Sequence, residues 1–301
     1  MPSAEDLKAQ IGQVEDLQSV VKTMKALAAV SIRQYQQAVE SLEDYFHTVE
    51  QGFQILLRRR YYADASLLKT TGIANDEEPY ALMAIAFGSD QGLCGQFNEQ
   101  AAQHVTAWLD QHQEAVADLQ LWVVGARILP YLETQYDIQE VLTMANSAQG
   151  IIDPVEDLLL AIEQHQRAFE TSRIMLFYNR PKSAAAYAPT TFQLLPLSRD
   201  WLLHLEQAPW PTKMLPTFTM DWPDLLSSLI RQYLFVVLYR AFAASLAAEN
   251  ASRLAAMQSA ESNIGDRLDD LNSQYRRQRQ SAITSELLDV VAGFEALTGE
   301  G

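Results

Sequence analysis

The sequence is poor in cysteine, in basic residues and, over its last quarter, in proline. Cys94 is the only cysteine among the 301 residues, which excludes an intramolecular disulfide and favours a cytosolic compartment. Lys and Arg number 22 against 38 Asp and Glu, which gives a net charge of −16. Non-specific nucleic-acid binding needs a surplus of basic residues, so this charge balance argues against a nucleic-acid partner.

Long apolar runs are also scarce. The N-terminal MPSAEDLKAQIG has no apolar core, so we expect no signal peptide. The most apolar stretch, YLFVVLYRAFAASLAA, contains Arg240 and is shorter than the roughly 20 apolar residues of a membrane span. It therefore predicts a buried helix segment and no direct membrane span.

The last quarter of the chain predicts one very long helix. Asp221 and Pro223 suit a helix cap and a first turn, and no proline follows them. Only Gly265 and Gly293 weaken a run of good helix formers that ends near Leu297. At about 1.5 Å per residue, such a helix spans on the order of 110 Å, the dimensions of a shaft.

A second long helix is predicted from Ser3 to about Leu57, opened by a capping-box-like Ser3 and Asp6. Its apolar residues follow a heptad repeat, which predicts a left-handed supercoil with a partner helix. The a positions are Ile11, Gln18, Lys25, Ile32, Val39, Phe46 and Phe53. The d positions are Leu7, Val14, Val21, Ala28, Tyr35, Leu42, Val49 and Leu56.

The C-terminal run carries a matching rhythm in two sections. The first contains Leu254, Met257, Ile264, Leu268, Leu271 and Tyr275, and the second contains Ile283, Leu287, Val290, Phe294 and Leu297. The two sections are out of phase, and the slip at residues 276–282 should alter the supercoil locally. We expect an antiparallel intramolecular coiled coil; the alternative is that each helix pairs with its own copy in a dimer.

Between the helices, short apolar strands alternate with helical segments, which predicts a Rossmann-like α/β domain with a partly parallel sheet. The predicted fold class is thus α/β with a long antiparallel coiled coil formed by the N- and C-terminal helices. We predict a first shaft helix, a linker, the α/β domain, a second linker and a second shaft helix. Their limits are 1–60, 61–79, 80–210, 211–223 and 224–301.

Little in the sequence points to chemistry. GSDQGLCGQFN at Gly88–Asn98 lies between a strand and a helix, where glycine loops hold phosphate, but it fits no nucleotide-binding spacing. A structural turn is favoured there over a nucleotide site. The histidines show no metal-ligand spacing, and no catalytic arrangement is evident. We expect no catalytic residue, cofactor or metal site.

Polar residues within and beside the predicted coiled-coil seam have two interpretations. Gln18 and Lys25 at a positions either set the register of the seam and extend outward, or mark a point where a further partner touches both helices. The cluster Arg276, Arg277 and Arg279 is either a solvated face or a grip for acidic loops of a partner.

The chain resembles the gamma subunit, the central rotor shaft of F-type ATP synthases. The resemblance covers nearly the whole chain and rests on three segments. IGQVEDLQSVVKTMKALAAVSIR is similar to the family's N-terminal helix and SDQGLCGQFN to its SDRGLCGGFN turn. The most specific match is ENASRLAAMQSAESNIGDRLDDLNSQYRRQRQSAITSELLDVVAGFEAL, which resembles the C-terminal signature.

The resemblance implies a non-catalytic shaft inside a ring of alternating alpha and beta subunits. Its α/β domain would rest on the epsilon subunit and the membrane c-ring, on the cytoplasmic face of the inner membrane. Rotation of the asymmetric shaft would couple transmembrane ion flow to ATP synthesis or hydrolysis in the ring, since each face of the shaft favours a different ring conformation.

The resemblance also assigns subunit-contact residues. Met24 and Lys25 fall where the family's shaft meets an acidic lever of the beta subunit. Arg253 and Gln280 match residues that form a catch with a beta-subunit loop. Thr284 and Glu286 match neighbours that support this region.

The chain departs from the family at Leu17, Ser19 and Ser31, where threonine, lysine and lysine are usual, so the first helix is less basic. The departures are compatible with a divergent bacterial branch. Two other classes remain open: a coiled-coil adaptor with an α/β binding domain, and a small α/β enzyme that uses the loop at residues 88–95.

Overall fold

A computed structural model of the chain describes residues 3–59, 79–169, 172–183, 186–210, 214, 216 and 218–298. These residues divide into two compact units. Unit 1 combines Met1–Leu27 with Leu254–Gly301, and unit 2 is Ala28–Arg253. The predicted linker at 61–79 lies, except for Pro79, outside the described residues, as does part of the linker at 211–223.

The two longest helices lie at the ends of the chain. The α-helices are α1 (Ala4–Ser41), α2 (Glu43–Arg59), α3 (Phe97–Gln111), α4 (Leu129–Leu132), α5 (Ile152–Ala168), α6 (Arg199–Gln207) and α7 (Trp222–Thr298). Short 3₁₀ turns occupy Ala126–Ile128 and Gln149–Ile151. The prediction of one uninterrupted C-terminal helix is confirmed, because α7 runs for 77 residues. Sequence reasoning did not find α6.

The prediction of one first helix was wrong, because it ends at Ser41 and α2 begins at Glu43. The Ser41 hydroxyl donates to the Ala38 carbonyl at 2.9 Å, and the Leu42 amide bonds the Val39 carbonyl three residues back at 3.1 Å. A serine side chain that bonds the backbone competes with the regular helical pattern, and the tighter turn ends α1. The heptad nevertheless holds, since every a and d position is buried or half-buried.

A five-stranded sheet in the order β3-β2-β1-β4-β5 forms the centre of unit 2. The first four strands are parallel and β5 is antiparallel to β4. This order is that of a Rossmann-like half, which agrees with the predicted Rossmann-like α/β domain and its partly parallel sheet. The strands are β1 (Tyr80–Phe87), β2 (Val116–Val124), β3 (Ile138–Leu142), β4 (Ser172–Ser183) and β5 (Ala186–Leu195).

Each face of the sheet is covered by helices, so the central strand β1 is buried along its whole length. One face packs Leu82, Ala84 and Ala86 against residues of α3 and α4. The opposite face packs Met83, Ile85 and Phe87 with residues of α2, α5 and α7. The second face places a length of α7 directly on the sheet, with Phe242 edge-to-face on Phe87 at 4.9 Å between ring centroids.

The apolar part of α7 is a core helix of unit 2. Among the described residues, the segment Trp222–Val291 is long and apolar enough to pass for a membrane span, but 56% of its apolar window is buried inside the protein. Val236, Leu238 and Phe242 are fully buried. This agrees with the prediction that the stretch around Arg240 packs inside the protein. Within unit 2, Phe46 contacts Tyr233 and Tyr35 lies near Glu249, so α7 runs antiparallel to α1 and α2.

Candidate subunit interface

A closed seam joins α1 and α7 in unit 1. Val21, Met257 and Ile264 are buried in it, with Val14 and Leu268 packed against them. Met24 also packs on this cluster, and Lys25 forms an ion pair with Glu261 at its edge. The side chains of Lys25 and Glu261 keep 34% and 26% of their surface. Lys25 is therefore compatible with both interpretations of the polar seam positions. It has a partner in the opposite helix, as a register-setting residue would, and its side chain is still accessible to a further partner.

Beyond the seam, α7 is exposed on all sides from Arg279 to Val291. Every residue from Arg279 to Val291 is exposed, including the predicted contact residues Gln280, Thr284 and Glu286. The Thr284 hydroxyl donates to the Gln280 carbonyl one turn back, at 2.9 Å. This bond satisfies the Thr284 hydroxyl within the helix. It uses the backbone carbonyl of Gln280, so the exposed side-chain amide of Gln280 is available to a partner.

The same stretch carries large apolar side chains. Leu287, Leu288 and Val290 expose 61%, 63% and 70% of their surface. Lys25 opposes Glu261 and lies 21 residues after Ala4, so the first turn of α1 is level with about residue 282 of α7. The part of the second apolar section from Ile283 to Val290 therefore lies past the helix that covers the first section, and its rhythm does not mark contact with α1. A patch of this kind indicates an interaction site.

Arg253, in unit 2, is placed very differently. Its side chain is 7% exposed and ion-paired with Glu249, whose side chain is 5% exposed. Its guanidinium also donates to Asn250 Oδ1 at 3.0 Å and to the Gly92 carbonyl at 3.4 Å. Burial raises the pKa of the Glu249 carboxyl above its ordinary value, against the opposing effect of Arg253. The partner-contact role expected for Arg253 stays a prediction.

The turn at Gly88–Asn98 is built from internal hydrogen bonds. Asn98 accepts from the Ser89 amide and donates to the Ser89 hydroxyl, both at 2.9 Å. The Asp90 carboxylate accepts from the Ala126 amide at 2.8 Å and from the Met144 amide at 2.6 Å. These contacts tie the turn to the carboxyl ends of β1, β2 and β3, which favours the structural reading of the glycine-rich motif.

A small polar pocket of about 100 Å³ lies beside this turn in unit 2. Asp90, Glu249 and Arg253 contribute charged groups to its lining, and Tyr35 and Asn146 contribute polar ones. It is small for a cofactor pocket, which usually measures several hundred Å³. Among the described residues no group of three or more His, Cys, Asp or Glu could hold a metal ion.

Comparisons with known proteins agree with this architecture. A family model described as ATP synthase matches residues 3–297. The chain belongs to the ATP synthase gamma chain family. Curated ATP synthase gamma chains include one from Rhizobium rhizogenes, 28% identical over 99% of this chain and 100% of the relative. Another, from Brucella ovis, is 29% identical over 99% of this chain and 100% of the relative.

Solved structures show the same fold. A chain of the Euglena gracilis mitochondrial ATP synthase, in an assembly of OSCP, F1 and c-ring, matches with a TM-score of 0.59 and 17% identity. The match covers 98% of this chain and 95% of that one. A chain from the central stalk and c-ring of the Tetrahymena thermophila enzyme matches with a TM-score of 0.55 and 18% identity, over 80% of this chain and 99% of that one.

The predicted contact residues of this gamma family member fall into three places. Met24 and Lys25 share the seam, and Gln280, Thr284 and Glu286 share the exposed end of α7. Arg253 stands apart, in a buried ion pair with Glu249 that sequence reasoning missed. One signal was available: Glu249 and Arg253 lie four residues apart within an alanine-rich helix, the spacing of an intrahelical pair.

Proposed function

We propose that the chain is the central-stalk rotor subunit of an F-type ATP synthase. In this role it couples transmembrane ion flow to ATP synthesis or hydrolysis in the surrounding ring of alpha and beta subunits. The epsilon subunit and the membrane c-ring hold its α/β domain, on the cytoplasmic face of the inner membrane. The family match along residues 3–297 supports this assignment most directly.

The exposed end of α7 fits the proposed role. A helix with large apolar side chains on several faces is unfavourable in water unless a partner covers it. A ring that surrounds the helix covers every face at once, whereas a flat partner covers one. We propose that Gln280, Thr284 and Glu286 contact the ring there, and that Met24, Lys25 and Arg253 contribute further contacts.

The subunit contributes no catalytic group of its own in this proposal. The chemistry belongs to the ring, and the shaft acts because its faces differ and favour different ring conformations in turn. Ser89, Asp90 and Asn98 of the turn at Gly88–Asn98 are already engaged in internal hydrogen bonds. This arrangement disfavours a nucleotide-using α/β enzyme, and the similarity to synthase gamma chains over whole chains disfavours an unrelated adaptor.

Reconstitution with alpha and beta subunits tests the proposal. We expect the full chain to assemble with them and to change their ATP turnover, and the complete synthase to pump ions when it hydrolyses ATP. A chain that neither joins the ring nor alters its turnover rejects the rotor assignment. A stable dimer of the isolated chain, with no affinity for the ring, would favour the adaptor.

A further inference from the structure

Three residues of α7 hold the turn at Gly88–Asn98 against the helix, and we name Glu249, Ser252 and Arg253 the brace. The Ser252 hydroxyl donates to the Cys94 carbonyl at 2.6 Å, and Arg253 donates to the Gly92 carbonyl at 3.4 Å. Ala248, one turn earlier on α7, packs with Cys94 and Phe97 in a small buried cluster. Polar and apolar contacts therefore fix the turn on the same stretch of helix.

The brace is rigid because its two charged residues, Glu249 and Arg253, form an ion pair with each other on α7. Asn250 accepts from Arg253 Nη1, and Glu249 accepts from Arg253 Nη2, which also donates to the Gly92 carbonyl. A charge-assisted hydrogen bond within a buried pair is stronger than a neutral one and fixes the geometry of its donor. Glu249 thus acts on the turn through Arg253.

The far side of the turn is fixed to the sheet. Asp90 bonds the backbone beyond the ends of β2 and β3, and Asn98 bonds Ser89 directly after β1. Between these anchors Leu93 has a φ of 62°, a conformation that a bulky side chain avoids unless its surroundings impose it. The turn is consequently a short, constrained bridge from three strands of the sheet to α7.

We propose that the brace is a positioning element that passes torque between the α/β domain and α7. This inference rests on the proposed rotor function. A domain turned by the membrane sector must carry the shaft helix with it, and apolar packing is non-directional and resists sliding less than directed bonds do. The brace and the turn supply directed bonds across that contact.

Cys94 provides a native reporter of the turn, since it is the only cysteine of the chain and 3% exposed. In Ser252→Ala, which keeps the ion pair, Cys94 in the assembled synthase should react with a maleimide about fivefold faster, the factor that one hydrogen bond is typically worth. Labelling is measured by mass spectrometry of this chain. Ser259→Ala, at an exposed serine of the same helix, is the matched control and should label like the wild type.

A second pair of variants separates positioning from stability. Arg253→Met leaves the Glu249 carboxyl buried without its cation, so we expect a much lower unfolding temperature and poor assembly. Glu249→Met with Arg253→Met removes both charges, which commonly restores stability. The double variant should unfold near the wild-type temperature, label Cys94 at least tenfold faster, and pump several-fold fewer ions per ATP hydrolysed. Because Arg253 is also a proposed ring contact, Ser252→Ala, which keeps Arg253, should show a reduced pumping ratio as well.

The ratio of pumping to hydrolysis decides between the interpretations. If the double variant regains both stability and wild-type pumping per ATP, the brace is structural only and the inference fails. Unchanged Cys94 labelling in Ser252→Ala and the double variant would also overturn it. Should the double variant not assemble, the pumping ratio of Ser252→Ala decides, with a reduced ratio expected. A wild-type chain that does not pump rejects the rotor function itself, whereas equal pumping by wild type and variants rejects the brace alone.

Discussion

Two segments of α7 contrast sharply, although both are helical and rich in apolar residues. From Leu234 to Arg253 no residue is exposed, and from Arg279 to Val291 every residue is exposed. The first segment lies between the sheet and the N-terminal helices, while the second extends past the level at which α1 begins. Apolar periodicity therefore identified a helix in both places, but the neighbouring elements determined whether its apolar face is covered.

The first and largest expected effect tests this contrast with one type of substitution. Leu238 is fully buried and Leu287 is 61% exposed. Leu238→Ala should lower the free energy of unfolding by about 2–5 kcal/mol, because it leaves a cavity in the core. Leu287→Ala should change it by less than about 0.5 kcal/mol. Urea unfolding of the isolated full chain measures both, and equal losses would contradict the contrast.

Once the ring is present, substitutions in the exposed segment should weaken assembly. Leu287→Asp should weaken assembly with alpha and beta subunits by about tenfold, because a carboxylate would be buried in an apolar contact. Its free energy of unfolding as an isolated chain should stay near that of the wild type. Titration of the ring with labelled chain gives the affinity. Tight binding by Leu287→Asp would show that this face remains in water.

The pH dependence of stability provides a further test of the buried region, through His165. His165 on α5 is 4% exposed, and its Nδ1 lies 2.9 Å from Gln120 Oε1. Burial lowers the pKa of His165 below its ordinary 6.5, although the nearby Asp118 opposes the shift. The unfolded chain therefore binds a proton first, and stability is lost as pH falls below 6.5.

His165→Gln should remove this loss, which amounts to at most about 1.4 kcal/mol per pH unit for one proton. Urea unfolding at about pH 7.5 and about pH 5.5 measures the difference. His204→Gln, at an exposed position of α6, is the matched control and should keep the wild-type pH dependence. An unchanged pH dependence in His165→Gln would show that other groups cause the acid sensitivity.

The smallest effect is expected at the edge of the seam of unit 1, where the Lys25–Glu261 ion pair is only partly buried. Lys25→Met should lower stability slightly, and Lys25→Met with Glu261→Met should return it to near the wild-type value. Half-exposed ion pairs contribute little, because water and salt screen them. Urea midpoints at low and high salt measure this contribution. A large, salt-independent loss in the single variant would place the pair with the buried contacts.

Local patterns predicted much of the fold. Because apolar residues recur along α1 and α2 with heptad spacing, that spacing alone places Gln18 and Lys25 at seam positions. The Rossmann-like α/β domain with its partly parallel sheet was predictable from the alternation of strands and helices. The break at Leu42 was not, since it depends on one serine hydroxyl and has no proline or glycine to mark it. The short α6 was missed for a similar reason, as its segment is less regular.

The contact network was less accessible to sequence reasoning. Asp90 lies in the turn whereas Glu249 and Arg253 lie on α7, and only the tertiary fold brings the turn onto that helix. The family motif drew attention to Arg253, but its burial could not be inferred from the motif. Conversely, the exposure of Leu287 follows from the length of α1, which no pattern within α7 records.

Asp90 gives the sheet an unusual property. In doubly wound sheets, the carboxyl ends of the strands commonly receive the phosphates of a ligand. Here a side chain of the protein already places a negative charge there, held by the amides of Ala126 and Met144. An incoming phosphate would meet both a filled position and a like charge. The Asp90 carboxylate thus occupies the position at which a related sheet binds a ligand phosphate. The carboxyl ends of these strands therefore hold a turn that packs on α7, where a related domain holds a ligand.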